Sequence, residues 1–251
     1  MELSILGLSS EEVYEKVARG EIPSFPNYFW NKEVAIELLR YVVITKMKMS
    51  KEDICRLDLR QFLKDVKLVT ARKQFEDDYQ MINAAFEELE IMPWELRKVK
   101  NNFWKSRENR LKALLWLAKK EEINLENVSE VRVKITSKLV YNYFGNKAIK
   151  YSNGSLFEFL DLYYEGRYKE WELLSKVGHW NDEKVKEAVR YMAGKMKLDT
   201  KEDLASVKVE DFKKFGLDGM LSKACRHSPL IAMQIAYPEM NFTNNDILSK
   251  F

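Results

Sequence analysis

The chain has 251 residues, 46% of them hydrophobic and 32% charged, which provides enough apolar material for a buried core and excludes an intrinsically disordered polymer. Nine glycines and five prolines leave few residues for tight turns, so the composition argues against a many-stranded barrel or sandwich and predicts an all-α protein. A formal net charge of +3 excludes a strong polyelectrolyte, and arguments from charge must therefore be local.

The first predicted element is a helical leader, residues 1–26. Ser9 and Glu12 form a capping box ahead of apolar residues at helical spacing, and Gly20 is expected to end the helix. The first eight residues lack the basic start and apolar length of a signal peptide, and no later apolar run reaches the length of about 18 residues that a membrane span needs. These features predict a cytoplasmic protein that does not associate with a membrane.

Beyond the leader the sequence repeats itself with a period of about 75 residues. A shift of 150 positions places residues 30–64 over residues 180–214 without a gap and with eleven identities. A more diverged middle copy begins at Trp104, as the other two begin at Trp30 and Trp180. We predict three tandem repeats of four helices each, over residues 27–100, 101–176 and 177–251.

Each repeat is predicted to open with a long helix whose N-cap is Asn31, Ser106 or Asn181. The preceding tryptophan is expected to pack in the core. Apolar residues then recur at intervals of three and four, as one buried helix face requires. The residues expected on these buried faces are Ala35, Leu38, Leu39 and Val42; Leu111, Leu114, Leu115 and Ala118; and Val185, Ala188, Val189 and Met192.

Shorter helices are predicted to follow in each repeat. Capping boxes begin at Ser50 and Thr200, each with an acidic residue three positions later, and they predict a second helix. Residues 212–220 are interpreted as a third helix ended by Gly216. Ser228, followed by a proline, predicts the start of a fourth helix.

Several short motifs recur or stand out along the chain. They are Glu12-Val13-Tyr14 in the leader, the Phe-Trp or His-Trp repeat starts, the Trp-Glu-Leu closers of the first two repeats, and Ser228-Pro229 with Ala236-Tyr237-Pro238 in the third. In combination they resemble bacterial tandem helical-repeat proteins whose domain has no known function. The resemblance covers nearly the whole chain, although the middle repeat has Glu165-Gly166 where a proline is expected. It implies the repeat architecture and transfers no catalytic or binding residues.

Residues suited to catalysis are scarce. Cys55 and Cys225 form no CxxC pair, and neither His179 nor His227 lies within a cluster of metal-ligand residues in the sequence. Cys225 and His227 are two positions apart, a spacing that does not bring side chains together on a helix. Residues 76–78 are acidic but have no second acidic cluster to complete a metal site. We therefore predict a non-enzymatic protein in a reducing compartment, without metal, cofactor or small-molecule ligand.

Basic residues are concentrated in the middle repeat, which has a net charge of +4 against −3 for the leader and +1 for each other repeat. Residues 97–112 contain seven basic residues and one acid, and residues 131–157 contain five basic residues and no acid. Unneutralised cations favour a phosphate backbone, and interleaved tyrosine and asparagine add stacking or base contacts. The predicted nucleic-acid-binding residues are Arg97, Lys98, Lys100, Lys105, Arg107, Arg110, Lys112, Arg132, Lys134, Lys138, Lys147 and Lys150.

These patterns predict a non-enzymatic helical repeat protein that binds nucleic acid, preferentially duplex DNA, through a basic surface centred on the middle repeat. Tandem units suit this function because each adds a few phosphate contacts along a periodic polymer. The same residues also fit a solvated face with no ligand. The main functional alternative is a scaffold for protein-protein interaction, and an enzyme that uses Cys225 with His227 or the acidic residues 76–78 comes third.

Overall fold

The computed structural model describes residues 7–248, with the side chains of residues 247 and 248 excepted, and these residues form helices and connecting turns without a β-strand. The first six residues of the predicted leader and the last three of the predicted third repeat lie outside the described residues. The α-helices are α1 Ser10–Arg19, α2 Lys32–Arg40, α3 Lys51–Arg56, α4 Leu59–Asp65, α5 Asp78–Ala85, α6 Arg107–Lys120, α7 Val128–Lys134, α8 Ser137–Phe144, α9 Lys147–Lys150, α10 Leu156–Tyr164, α11 Glu170–Leu173, α12 Asp182–Met196, α13 Lys201–Ala205, α14 Val209–Lys214, α15 Asp218–Ala224, α16 Pro229–Ala236 and α17 Asn244–Leu248.

Tighter and wider helical turns complete the secondary structure. A π-helical turn, Tyr41–Lys46, continues α2. Five 3₁₀ turns connect other elements: Val69–Gln74, Glu87–Leu89, Pro93–Glu95, Phe103–Lys105 and Pro238–Met240. The prediction of an all-α protein is therefore confirmed for the described residues.

A helix begins at each of the predicted caps. The side chains of Asn31, Asn181 and Ser228 each accept a hydrogen bond from a backbone amide in the first turn of their helix. The capping boxes that begin at Ser50 and Thr200 are both present, as is the box between Ser9 and Glu12. These contacts satisfy amide groups that a helix start leaves unpaired. At α6 the Ser106 hydroxyl accepts from the Asn109 amide at 3.3 Å.

The chain divides into two compact units, the first containing the described residues up to 113 together with residues 142–147. In this unit α2 packs against α1 and α5, and its apolar face is buried. Arg40, near the end of α2, donates to the Ala85 carbonyl, pairs with Glu88 at 2.8 Å and lies over the Phe86 ring. These contacts join the end of α2 to the end of α5.

The second unit contains residues 114–141 and the chain from residue 148 onward. Its largest contact is between α12 and α16, and α7 packs against α11. Arg190 on α12 donates to the Ala236 carbonyl at 2.9 Å, reaches Glu239 at 3.4 Å and lies over the Tyr237 ring. The contacts of Arg190 therefore have the same form as those of Arg40 in the first unit.

The buried face of α6 differs from the prediction. Leu115 is 42% exposed and Leu111 is half-buried, whereas Leu114 and Ala118 are buried as expected. The buried positions lie four, seven, eight and eleven residues after the N-cap in α2 and α12, and in α6 the last three of these are Ala113, Leu114 and Leu117. Counted from the cap, the face predicted for α6 therefore lies one position after the buried one.

The third helix predicted over residues 212–220 ends, as expected, just before Gly216, but the later residues of that range belong to another helix. Two helices occupy this region, because α14 ends at Lys214 and α15 begins at Asp218. Gly216 lies between them with φ +73°, a conformation that glycine adopts without strain. The left-handed glycine was predicted at the correct position, and a new helix begins two residues after it.

Left-handed residues other than glycine are frequent in this fold. Eleven of the described residues have positive φ and are not glycine. Among them, Glu165 and Lys197 follow the last residue of α10 and α12, and Glu90 and Asn241 follow 3₁₀ turns. A left-handed residue after a helix lets the backbone amides pair with the last carbonyls of that helix.

Candidate nucleic-acid interface

Three of the predicted cations in the first unit pair with acidic residues earlier in the chain. Lys98 lies 2.6 Å from the Asp58 carboxylate, and Arg97 lies 4.0 Å from it. Lys100 lies 3.3 Å from Asp77. Their side chains are nonetheless more than half exposed. The hydrogen bond from Lys98 keeps the pKa of the Asp58 carboxyl below its usual range, so that carboxylate stays charged.

The cations around the start of α6 have different surroundings. Lys112 pairs with Glu108 on the same helix at 2.7 Å, and Lys105 is exposed with no ion pair among residues 7–248. Arg107 is also exposed. Arg110 is half-buried, and its guanidinium donates to the Trp104 carbonyl at 2.7 Å and to the Lys105 carbonyl at 3.0 Å. Burial lowers the pKa of Arg110, and the charge of Arg107 lowers it further.

Arg110 therefore serves the fold. It lies four residues after its helix cap, at the position that Ala35 and Val185 occupy in α2 and α12. Its hydrogen bonds hold the 3₁₀ turn that carries Trp104, whose side chain is buried against Trp94 and Phe144. A guanidinium engaged with backbone carbonyls in this way has fewer donors left for a phosphate.

In the second unit Arg132 also points toward the protein. It is half-buried on α7 and donates to the Gly216 carbonyl at 3.3 Å. Lys134 on the same helix is half-exposed and lies 2.6 Å from Glu130, which lowers the pKa of that carboxyl. The acid-free segment is thus partly neutralised by a glutamate just outside it.

The remaining cations of the acid-free segment are exposed. Lys138 on α8 and Lys150 at the end of α9, both in the second unit, have no ion pair within the described part of the chain. Tyr141 and Tyr151, in the same unit, are among its most exposed large side chains, at 61% and 37%. Lys147, in the first unit, is exposed and likewise has no acidic partner among residues 7–248. These residues present positive charge and aromatic rings to solvent.

The cations that form ion pairs can still contact a phosphate. Exposed pairs contribute about 0–1 kcal/mol, because water and salt screen them and ordering two long side chains opposes them. A phosphate can therefore displace Asp58 from Lys98 or Glu130 from Lys134 at small cost. The sequence could not have revealed the long-range pairs, because Lys98 and Asp58 are 40 positions apart.

The geometry gives little support to a metal-binding or small-molecule site. No group of three metal-ligand side chains occurs among the described residues. The acidic residues 76–78 surround the start of α5: Asp77 is its N-cap and Asp78 pairs with Arg72. A pocket lined by residues of α3, α4 and α5, with Leu96 and Lys98, has a volume of about 20 Å³, enough for one water molecule.

The two cysteines are free thiols in different surroundings. Cys225 is fully buried, and burial raises the pKa of its thiol to about 11. At neutral pH only about one such thiol in ten thousand is a thiolate, the nucleophilic form. His227, two residues later, is exposed. An enzyme would use Cys225 as its nucleophile and His227 as its base, but the Cys225 thiol is mostly protonated at neutral pH.

We expect a thiol-specific reagent such as dithionitrobenzoate to distinguish the cysteines. Cys55 is half-buried and should react first, although burial raises its pKa as well. Cys225 should react only when the protein unfolds, since both its burial and its protonation oppose attack. The release of thionitrobenzoate followed at neutral pH, with and without denaturant, measures both rates. A Cys55→Ser variant that still reacts rapidly without denaturant would contradict the buried position of Cys225.

Comparison with known proteins relates part of the chain to a family without an assigned function. Residues 11–91, about a third of the chain, match a family described as "Protein of unknown function (DUF4046)". No curated protein and no solved structure matches. The resemblance to an uncharacterised family is thus supported for α1 to α5 and the turn after them.

None of the helices in residues 7–248 is long and apolar enough to cross a bilayer.

Proposed function

We propose that the chain is a non-enzymatic, nucleic-acid-binding helical repeat protein, with duplex DNA as its main ligand. The observation that supports this best is the acid-free segment 131–157, where Lys138 and Lys150 are exposed without acidic partners and Tyr141 is exposed beside them in sequence. Cations in such surroundings bind phosphates and release condensed counterions, which is the main source of affinity for nucleic acids.

The tandem arrangement is part of this proposal. Helices α2, α6 and α12 share the spacing of their buried positions from the cap, and Arg40 and Arg190 make equivalent contacts. Lys51 reaches Glu95, and Lys201 reaches Asp246, across the same separation of about 45 residues. These correspondences support three related repeats over residues 27–100, 101–176 and 177–251, preceded by a leader.

Exposure and pairing are the grounds on which we divide the predicted cations between DNA contact and folding. Arg110 and Arg132 bond to backbone carbonyls inside their own units, so we assign them to folding and not to DNA contact. Lys138 and Lys150 in the second unit, and Lys105 and Lys147 in the first, are the residues most open to phosphate. The paired cations Arg97, Lys98, Lys100, Lys112 and Lys134 are expected to contribute less, because each must leave a carboxylate first.

The location proposed for the protein is the cytoplasm. Both Cys55 and Cys225 are free thiols, which a reducing compartment preserves.

Replacing Lys138 and Lys150 with glutamine should weaken DNA binding and flatten its salt dependence. Each lost phosphate contact reduces the slope of log affinity against log salt by about 0.9, so the double variant should lose about 1.8 from the slope. Fluorescence anisotropy of a labelled blunt duplex, titrated at several salt concentrations, measures both quantities. The expected loss of affinity at low salt is about tenfold.

The matched control is a Lys64→Gln, Lys213→Gln variant. Both lysines are exposed and have no ion pair among residues 7–248, so the same net charge is removed elsewhere. An equal loss in the control would mean that only net charge matters, which contradicts a localised interface. Binding that is absent or insensitive to salt in the unmodified protein would overturn the proposal and favour the protein-interaction scaffold. Exposed apolar side chains such as Tyr28, Met47 and Val133 are the residues that a scaffold would use.

A further inference from the structure

The outward face of α8 carries a cation and an aromatic ring side by side. Val140 and Phe144 are buried, which fixes the inward side of this helix. Lys138 and Tyr141 are three residues apart, a spacing that brings their Cβ atoms to within about 5–6 Å on one helix face. Both side chains are exposed, so a ligand can meet them together.

The Tyr141 ring is largely exposed and makes no polar or ring contact within the described part of the chain. It has no hydrogen bond, stacked ring or cation over its face among the described residues, and 61% of its surface is exposed. Most other tyrosines of the chain are engaged: Tyr41 and Tyr191 bond to glutamates, and Tyr164 bonds to the Leu125 carbonyl. The fold therefore does not require the ring of Tyr141.

The surroundings of Tyr141 select the kind of ligand. No acidic residue lies between positions 131 and 157, which favours a polyanion over a protein surface of mixed charge. A flat aromatic ring beside a lysine is complementary to a base and its adjacent phosphate. Within an intact duplex, however, both faces of each base are already stacked on neighbouring pairs, so the ring needs an unpaired base.

We propose that Tyr141 stacks on an unpaired base while Lys138 contacts the neighbouring phosphate, so that the protein prefers DNA with a single-stranded segment over blunt duplex DNA. This inference rests on the proposed binding of nucleic acid and adds a preference within it. Tyr28 is even more exposed, at 77%, but has no charged residue within three positions. It provides a matched control for loss of an exposed ring outside the basic segment.

The test compares a blunt duplex with the same duplex extended by several unpaired deoxyadenosines, using anisotropy at constant salt. We expect the overhang to raise the affinity of the unmodified protein about tenfold, within the range measured for one stacked base. Tyr141→Ala should abolish this gain, so that the variant binds the blunt and the extended duplex with equal affinity. Tyr141→Phe should retain the gain because the ring is preserved, and Tyr28→Ala should behave as the unmodified protein.

Three results would overturn the inference. The inference fails if the gain from the overhang persists in Tyr141→Ala, if it is lost equally in Tyr141→Phe, or if Tyr28→Ala loses it too. If blunt duplex binds with steep salt dependence and the overhang adds nothing, duplex binding stands and base stacking fails. If neither DNA binds, both proposals fail together.

Discussion

Replacing Leu114 with alanine should destabilise the protein by about 2–5 kcal/mol, the range for removing a fully buried leucine side chain. Leu114 is 0% exposed on α6, eight residues after its cap. Truncation leaves a cavity that the packed neighbours fill only in part, so the loss includes contacts as well as transfer free energy. Urea unfolding followed by circular dichroism gives the free energy of unfolding and its slope.

The adjacent residue is the control for this experiment. Leu115 is 42% exposed, and its replacement by alanine should change stability by less than about 1 kcal/mol. The two variants differ by one position in the same helix and remove the same atoms. Equal losses would agree with the buried face predicted from the sequence, which contains both leucines, and a larger loss at Leu115 would contradict the exposure of its side chain.

Replacing Gly216 with alanine should destabilise the protein by about 3 kcal/mol or more, because two penalties combine. The residue has φ +73°, which costs an alanine about 1–2 kcal/mol. A Cβ atom there would also lie 2.7 Å from the Trp171 carbonyl oxygen and still closer to the guanidinium of Arg132. The Arg132 side chain can move, but a backbone carbonyl moves only with the chain that carries it.

Gly20 separates the two penalties. It has φ +79°, and an added Cβ would have nothing within 4 Å. Its replacement by alanine should therefore cost only the backbone strain of about 1–2 kcal/mol. Thermal and urea unfolding of both variants measure the difference. A Gly216→Ala protein no less stable than the Gly20→Ala protein would contradict the close approach of Trp171 and Arg132.

Local signals in the sequence predicted the fold best. The caps at Asn31, Thr200 and Ser228 lie where expected, because a capping side chain contacts an amide only two or three residues away. Burial on α6 was predicted less accurately, since its apolar residues fit two registers one position apart and the predicted register is the later of the two. The helix predicted to end at Gly216 does end there, but residues 212–220 also include the start of α15, which the sequence pattern did not separate.

The residue composition of the candidate interface was predictable from the sequence, and the orientation of its side chains was less so. The sequence identified the acid-free segment, but the chemical type of a residue does not determine its orientation. Arg132 turns toward Gly216, and Lys98 meets an aspartate 40 positions earlier. Such contacts arise from tertiary packing, so only the folded chain distinguishes an arginine that supports a turn from a lysine that is open to a ligand.

The left-handed residues after α10 and α12 affect what the glycine content of the chain implies about its turns. Glycine is scarce in this chain, yet reversals of the backbone are common, because lysine, glutamate and asparagine occupy conformations usually left to glycine. Each such residue accepts local strain, but it restricts the unfolded chain more than glycine would, and the two effects oppose each other. It also places a polar group at the corner, where water can solvate it. The number of glycines therefore underestimates how many turns this backbone makes.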